Sequence, residues 1–259
     1  MPEFSVLSSG EFVRLAAISD IHSNVYALDA VLADIRKRGA DVVVNLGDIL
    51  YGPIAPRSTF ELLMENDLVT VRGNQDRQIY EASSVEVASN PTMQFILAEL
   101  GVEPLKWMRN LPFNLQLNEH VFLCHGTPND DLTYLLENID SGRAIVRSDN
   151  EIVSLLGTIQ SDVVICGHTH TPRAVKTSTK QLIVNPGSVG LPAYTDDEPV
   201  VHSMESFSPH ATYAIVENNK EGWSVQHIKV DYAYDKAARE AKKRNRLDWV
   251  HFLTTGRGL

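Results

Sequence analysis

The chain has 259 residues and a formal net charge of -10, with 33 acidic against 23 basic residues. Such an acidic chain lacks the positive field that long nucleic acids and anionic membranes attract, so we expect neither as a partner. Its longest apolar runs, such as residues 163–165, are far too short to cross a bilayer. The length suits a soluble protein with one large domain over residues 1–259.

The first residues, MPEFSVLSSGEF, carry neither the basic start nor the apolar block of a signal peptide. They predict a loose lead-in at residues 1–12, and a cytoplasmic location is the resulting expectation. The two cysteines, Cys124 and Cys166, end apolar runs and are interpreted as small buried thiols rather than a disulfide. The sequence does not predict an oligomeric state.

The first third of the chain alternates predicted strands with predicted helices. In chain order these are a strand at 13–18, a helix at 25–38, a strand at 41–46, a helix at 56–66 and a strand at 68–71. The helices are indicated by apolar residues at helical spacing and the strands by short apolar runs. Each of the strands ends in a polar loop of similar composition.

Residues 77–112 are less regular, with helical spacing at 93–100 and 105–111, and predict a small helical insertion or cap. Strand patterns then return. They lie at 121–124, 163–166, 182–184, 212–216 and 224–230, with a helix at 150–159 and a last helix at 236–250. Alternation followed by hairpins favours an α/β sandwich with mixed sheets over a purely parallel sheet. The basic run KKRNR, residues 242–246, is interpreted as a solvated face of the last helix.

Polar side chains suited to metal binding follow several of the predicted strands. They are Asp20, His22, Asp48, Asn74, His125, His168 and His170. Loops beyond the carboxyl ends of strands form the ligand crevice of α/β sheets, so we expect these side chains to converge. Carboxylates, an amide oxygen and imidazoles make a mixed donor set that suffices for two ions sharing one carboxylate. The set needs no thiolate, which argues against a structural zinc site.

Each of these motifs alone has an ordinary structural explanation, such as a capping aspartate or a hydrogen-bonded pair of loop histidines. Together, in order and each at a strand end, they favour a metal site. Asp20 with His22, and His168 with His170, stand two residues apart and can face one side of an extended loop. The other histidines are interpreted as surface or structural residues. Among them, His202 is the one considered as another possible proton donor.

Through SDIHSN, NLGDI, VRGNQD, CHGTP and GHTHTP in that order, the sequence resembles the calcineurin-like metallophosphoesterases from about residue 15 to residue 190. The segment NPGSVGLP, residues 185–192, resembles a loop of their smaller bacterial phosphodiesterase branch. The resemblance implies a four-layered αββα sandwich with two mixed β-sheets. It also implies a dinuclear metal centre, with manganese expected first and iron, zinc or nickel as alternatives.

The resemblance further implies a role for each candidate ligand. Asp20, His22 and His170 are expected to hold the first ion. Asn74, His125 and His168 are expected to hold the second, with Asp48 as the bridge. Two such ions clamp phosphoryl oxygens and lower the pKa of a bound water toward about 7, which anionic phosphate esters require. The predicted function is therefore a phosphohydrolase for a small phosphorylated substrate, a diesterase more than a monoesterase.

The loop VRGNQD departs from the pattern of the wider family, many members of which have GNH at this place. That histidine is thought to protonate the leaving oxygen, and the aspartate that steers it is kept as Asp76. An amide does not exchange a proton near neutral pH, so Gln75 predicts substrates whose leaving group needs little protonation. Gln75 can still donate a hydrogen bond. Arg72 is a candidate phosphate contact, with a structural role in the loop equally open.

Two other functions remain open at this point. Protein serine/threonine phosphatases generally keep the histidine that Gln75 replaces and grip the phosphate with arginines, so the sequence counts against that class. A non-catalytic scaffold of the same fold usually lacks metal ligands, whereas every ligand position is filled here. Hydrolysis of bis-p-nitrophenyl phosphate with manganese, before and after chelation, separates an enzyme from a scaffold.

Overall fold

The computed structural model describes residues 14–259, so the lead-in predicted at residues 1–12 lies outside the described part. Across residues 14–259, no helix is long and apolar enough to cross a membrane. The helices, numbered in chain order, are α1 Val25–Arg38, α2 Pro56–Met64, α3 Asn74–Glu81, α4 Ser84–Ser89, α5 Pro91–Leu100, α6 Val102–Asn110, α7 Asp149–Leu156, α8 Tyr234–Lys243 and α9 Leu247–Thr255.

Two five-stranded sheets form the centre of the fold. The strands are β1 Arg14–Ile18, β2 Val42–Asn45, β3 Val69–Thr70, β4 Asn114–Gln116, β5 Val121–Cys124, β6 Glu137–Asn138, β7 Ile145–Val146, β8 Val163–Ile165, β9 Arg173–Lys176, β10 Leu182–Asn185, β11 Ala193–Asp196, β12 His202–Glu205, β13 Ala211–Asn219 and β14 Gly222–Val230. The sheet orders are β14-β13-β1-β2-β3 and β4-β5-β8-β10-β9. Both sheets combine parallel and antiparallel pairs, which confirms the predicted α/β class with mixed sheets.

An apolar layer lies between the two sheets. Leu15, Val44 and Val216 of the first sheet pack there with Leu123 and Ile165 of the second. Side chains alternate along a strand, so the neighbours of these residues point away from the facing sheet. Each sheet therefore has a second apolar face to cover.

Helices cover both outer faces. Ile18 of β1 packs in one cluster with Leu28 and Val31 of α1, and α2, α5, α8 and α9 contribute to the same cluster. On the second sheet, Val164 packs with Ile152 of α7. The succession of helix, sheet, sheet and helix is the αββα arrangement that the family resemblance implies.

Helix α1 shows why the sequence pattern locates this element well. The Asn24 side chain accepts from the backbone N–H of Ala27 at 3.2 Å, which caps the first turn. Val31 and Ile35 are buried at helical spacing. The helix ends at Gly39, whose φ of 75° lies in the left-handed region that favours glycine.

The single helix predicted at 236–250 is wrong, because the chain forms α8 and α9 with a break at residues 244–246. Asn245 has a φ of 58°, which a continuous right-handed helix does not allow. After the break, Arg246 is hydrogen-bonded to Asp248 and Thr92. The KKRNR run is therefore the end of one helix and a turn, and not one solvated helix face.

The stretch predicted as a helical insertion is helical, but α3 begins at Asn74 and so starts inside the candidate site. The sequence pattern missed the edge strands β4 and β9 and the ribbons β6-β7 and β11-β12. Cys124 and Cys166 are buried free thiols, as predicted. Burial raises the pKa of Cys124 to about 12, so it remains a thiol near neutral pH.

Candidate metal centre

The loops that follow β1, β2, β3, β5 and β8 bring the predicted ligands together. Two groups have ligand atoms that all lie within 4.8 Å of one another. They are Asp20, His22 and His170, and Asp48, His125 and His168. The Asn74 Oδ1 atom lies 3.0 Å from His125 Nε2, beside the second group. The convergence expected from the strand ends is present in the structure.

The first group has three buried side chains whose acceptor atoms face one another. His22 Nε2 lies 3.1 Å from His170 Nε2, and His170 Nε2 lies 3.3 Å from Asp20 Oδ1. The Nδ1 atoms of His22 and His170 face the carbonyls of Tyr51 at 3.1 Å and Leu191 at 2.6 Å. A carbonyl only accepts, so each Nδ1 donates and each neutral ring keeps a lone pair on Nε2.

These lone pairs and the carboxylate make an arrangement that requires a cation. Asp20 Oδ1 is buried and has no hydrogen-bond partner within the described chain. Facing acceptors in a buried site repel one another, and a buried polar atom without a partner costs about 1–3 kcal/mol. A divalent ion between the donors removes both penalties, so the residues present fit a metal.

The second group follows the same rule. His125 Nδ1 donates to the Leu46 carbonyl at 2.8 Å, which leaves its Nε2 facing Asp48 Oδ2 at 3.5 Å. His168 uses the other ring nitrogen: its Nε2 donates to the Leu132 carbonyl at 3.0 Å and its Nδ1 is left as the donor for a metal. All four imidazoles are thus held by backbone carbonyls in the tautomer that binds metal.

The electrostatics of the site also favour a cation. Burial and the neighbouring His170 lower the pKa of His22 to about 4, and burial with His125 lowers the pKa of His168 to about 4. Both rings are therefore neutral near neutral pH. Burial alone would lower the pKa of His125, but the Asp48 carboxylate outweighs it and raises this pKa to about 10. The buried carboxylates thus stabilise positive charge at this place, and a bound metal ion would provide that charge.

Backbone strain is concentrated at the same residues. Asp20, His22, Asp48, His168 and His170 have φ values of 54°, 50°, 54°, 72° and 55°. Left-handed backbone at a residue other than glycine costs about 1–3 kcal/mol and persists only where the surrounding structure imposes it. Its concentration at the predicted ligands indicates that the fold holds these side chains in place for a function.

A family model described as "Calcineurin-like phosphoesterase superfamily domain" matches residues 13–221, well over half of the chain. The chain belongs to the calcineurin-like phosphoesterase superfamily. It is 25% identical over 258 residues to the uncharacterized protein MJ0912 of Methanocaldococcus jannaschii, covering 91% of this chain and 95% of that protein. It is 27% identical over 190 residues to the phosphodiesterase YfcE of Escherichia coli K12, covering 70% of this chain and 81% of YfcE.

Among solved structures, a metallophosphoesterase from Sphaerobacter thermophilus superposes with a TM-score of 0.73. It is 24% identical, and the match covers 95% of this chain and 100% of that one. This likeness shows a shared fold. It agrees with the α/β architecture of mixed sheets and helices described above.

The RGNQD loop is tied to the Asp48 loop through Asp76. The Asp76 carboxylate is fully buried and accepts from the backbone N–H groups of Asp48, Ile49 and Gly73, each at 2.9 Å. Burial and the nearby Asp48 carboxylate raise the pKa of Asp76 to about 7. A Cβ atom on Gly73 would collide with the Asp48 carboxylate, so the two loops pack too closely for any other residue there. Asp76 is a structural link between the loops.

The oxygens of Asp76 face backbone donors and not the side chain of Gln75, which stands where many family members have the histidine. The side chain of Gln75 points into the cavity and away from Asp76. Its backbone N–H donates to Asp48 Oδ1 at 2.9 Å, and its side chain lines the cavity beside the ligands. The Gln75 Oε1 atom is buried and has no hydrogen-bond partner in the described structure. It is therefore free to contact a substrate.

Arg72 lies behind the site and does not line the cavity. Its Nη1 atom donates to Asp131 Oδ2 at 3.0 Å, and its guanidinium lies over the Phe113 ring. Arg77 donates to the same carboxylate at 2.8 Å. Of the two roles that the sequence left open for Arg72, this geometry supports the structural one.

A cavity of about 270 Å³ lies at the candidate ligands. The sequence analysis did not predict the residues that form its other walls. They include the aromatic residues Tyr51, Tyr134, Tyr194 and Trp249. His202 is buried behind this wall, where its Nε2 accepts from the Tyr134 hydroxyl at 3.0 Å. No motif marks these residues, since their position depends on how distant segments pack.

Proposed function

We propose that the protein is a metal-dependent phosphodiesterase that hydrolyses small phosphodiesters at a dinuclear centre. One observation carries the proposal: four imidazoles each donate one ring N–H to a backbone carbonyl and turn the other ring nitrogen toward two buried carboxylates. This donor set suits first-row divalent ions, and we propose manganese, with iron, zinc and nickel as the alternatives.

The two groups of side chains divide the ions between them. Asp20, His22 and His170 would hold one ion, Asn74, His125 and His168 the other, and Asp48 would bridge them. Two bound ions neutralise phosphoryl oxygens and make a bound water acidic enough to supply hydroxide near neutral pH. The backbone carbonyls that fix the imidazole tautomers keep these donors oriented before substrate arrives.

The residues around the centre bear on the choice of phosphate ester. Gln75 offers a carboxamide that can hydrogen-bond to the substrate but cannot protonate a leaving group. Among the residues that line the cavity, Arg246 is the basic one, and it is paired with Asp248 at 2.6 Å. A singly charged diester needs less positive charge than a doubly charged monoester, which supports the diesterase assignment. The phosphodiesterase YfcE is a relative in keeping with it.

The same observations weigh against the two alternatives. A protein phosphatase would grip phosphate with arginines, but the two arginines considered for this site within residues 14–259 are already paired, Arg72 with Asp131 and Arg246 with Asp248. A scaffold does not need the paired and strained ligand geometry described above. Both observations favour the phosphodiesterase over the protein phosphatase and the scaffold.

The test compares bis-p-nitrophenyl phosphate with p-nitrophenyl phosphate, using protein supplied with each of the four metals in turn. We expect hydrolysis with manganese that is abolished by chelation and restored by adding the metal back. The kcat/KM for the diester should exceed that for the monoester. Absence of hydrolysis with all four metals would favour the scaffold, and preference for the monoester would overturn the diesterase assignment.

A further inference from the structure

The C-terminal segment of the chain forms part of the cavity beside the metal centre. The family match ends at residue 221, yet Arg246, Asp248, Trp249 and Phe252 line this cavity. The Trp249 ring meets the His22 ring edge-on, with centroids 5.9 Å apart. The region beyond the family match thus supplies a wall in contact with a candidate ligand.

We propose that this wall, together with Tyr51 and Tyr194, forms a specificity pocket for one ester group of the substrate. The group it takes is flat, aromatic and uncharged, such as an aryl group or a nucleoside base. The pocket disfavours substrates that carry further phosphates. This inference rests on the phosphodiesterase function proposed above for the same site.

The size and lining of the cavity set the class of group. The whole cavity, which candidate ligands also line, has a volume of about 270 Å³, just below the roughly 300–1,000 Å³ typical of pockets for drug-sized ligands, so beside the phosphate it leaves room for no more than one compact group. Tyr51, Tyr194, Trp249 and Phe252 present aromatic surface to it. Aromatic rings prefer flat partners that stack or meet them edge to face.

The charges of the lining explain the exclusion of further phosphates. Arg246 is already paired with a carboxylate: its Nε and Nη2 atoms donate to Asp248 at 2.9 Å and 2.6 Å, and its Nη1 donates to Thr92 Oγ1 at 2.7 Å. Asp196 also lines the cavity and is exposed to solvent. Beside the ion pair of Arg246 and Asp248, the pocket therefore offers a second phosphate the exposed carboxylate of Asp196 and no unpaired arginine or lysine, on which phosphate binding relies.

The wall is fixed in place by its packing. Trp249 is only 4% exposed, and the Arg246 bond to Thr92 ties the start of α9 to α5. A Cβ atom added at Gly52 would lie 2.9 Å from the Trp249 ring and closer still to the His22 carbonyl, so the wall packs directly on the ligand loop. A pocket built this way is preformed and can discriminate by shape.

The first test uses diesters that share p-nitrophenol as leaving group, so that chemical reactivity stays similar. They are methyl p-nitrophenyl phosphate, thymidine 5′-p-nitrophenyl phosphate, and the latter with an added 3′-phosphate. For the parent enzyme we expect kcat/KM to be about tenfold higher for the thymidine ester than for the methyl ester. Tyr51→Ala should lower this ratio toward one, while Tyr51→Phe, which keeps the ring, should preserve it.

The second test concerns charge. The added 3′-phosphate should lower kcat/KM of the parent about tenfold. Asp196→Asn should recover several-fold of that loss. The matched control is Asp197→Asn, because Asp197 is equally exposed and adjacent but does not line the cavity. Asp197→Asn should recover none of the kcat/KM lost through the 3′-phosphate.

Binding of thymidine 5′-monophosphate methyl ester to metal-free protein, followed by calorimetry, gives a readout that does not depend on turnover. We expect the parent to bind it about tenfold more tightly than Tyr51→Ala does. Equal kcat/KM for the methyl and thymidine esters, or a ratio and an affinity unchanged in Tyr51→Ala, would overturn the pocket and leave the phosphodiesterase proposal standing. No hydrolysis of any diester with any of the four metals would overturn both.

Discussion

Asp48 is tied both to a candidate ligand of the second group and to the RGNQD loop. One of its oxygens faces His125 at 3.5 Å, the other accepts from the Gln75 backbone at 2.9 Å, and its own N–H donates to Asp76. If Asp48 bridges two ions, Asp48→Asn removes the shared charge with little change in shape. Activity should fall by more than the roughly 10- to 100-fold that outer-shell partners of metals typically contribute.

The assay for Asp48→Asn pairs kcat on bis-p-nitrophenyl phosphate with metal content and circular dichroism. Asp67→Asn, at an exposed position that belongs to neither group of ligands and does not line the cavity, serves as the control and should behave as the parent. A variant that keeps both ions and nearly full activity would place the bridge on another residue.

Gln75 is the residue at which this chain departs from many members of its family. A general acid typically contributes 10²- to 10⁴-fold, most for strongly basic leaving groups, so a site without one should discriminate steeply against alkyl esters. Gln75→His should restore a titratable group in the cavity and flatten the dependence of log kcat/KM on leaving-group pKa. Asp76 is held by backbone donors and would not orient this imidazole, so the gain depends on the cavity alone.

The control for this variant is Gln78→His, since Gln78 lies on the exposed side of α3 and does not line the cavity. It should leave the slope as in the parent. A shallow slope in the parent that Gln75→His does not alter would mean that another group protonates the leaving oxygen.

The break between α8 and α9 is a feature of a whole element that depends on one residue. Asn245 is exposed and has a φ of 58°. Asn245→Gly should leave the free energy of unfolding unchanged or raise it slightly, whereas Asn245→Val should lower it by about 1–2 kcal/mol, because β-branched residues disfavour left-handed backbone. Urea unfolding of the two variants beside the parent measures the difference. Equal stabilities would show that the turn does not constrain this residue.

The sequence locates an element well when local signals agree. In α1 a capping Asn24, an apolar stripe and Gly39 all mark the same bounds, and the helix is found at Val25–Arg38 as predicted. The C-terminal helix was predicted as one piece because no glycine or proline interrupts residues 236–250. The break coincides with the left-handed backbone of Asn245 and with the Arg246 bond to Thr92, a tertiary contact that no local pattern reveals.

At the scale of the whole molecule, the convergence of the ligands could be predicted because strand ends of an α/β sheet share one crevice. Asp20 and His170 lie 150 positions apart and follow strands of different sheets, and they still meet because the two sheets pack face to face. The cavity wall could not be predicted. Trp249 reaches His22 through the packing of α9 on the ligand loop, and Arg72 is withdrawn from the site by Asp131, a partner that sequence spacing does not indicate.

In the proposed function, one chain holds two metal ions through two groups of side chains. Protein prepared without chelators, saturated with manganese and freed of unbound metal should contain about two ions per chain by elemental analysis. His125→Ala, which removes a ligand of the second group alone, should reduce the value to about one while the fold is retained. A saturating value near one in the parent, or zinc retained by Cys124 or Cys166, would contradict the binding of two ions by these residues.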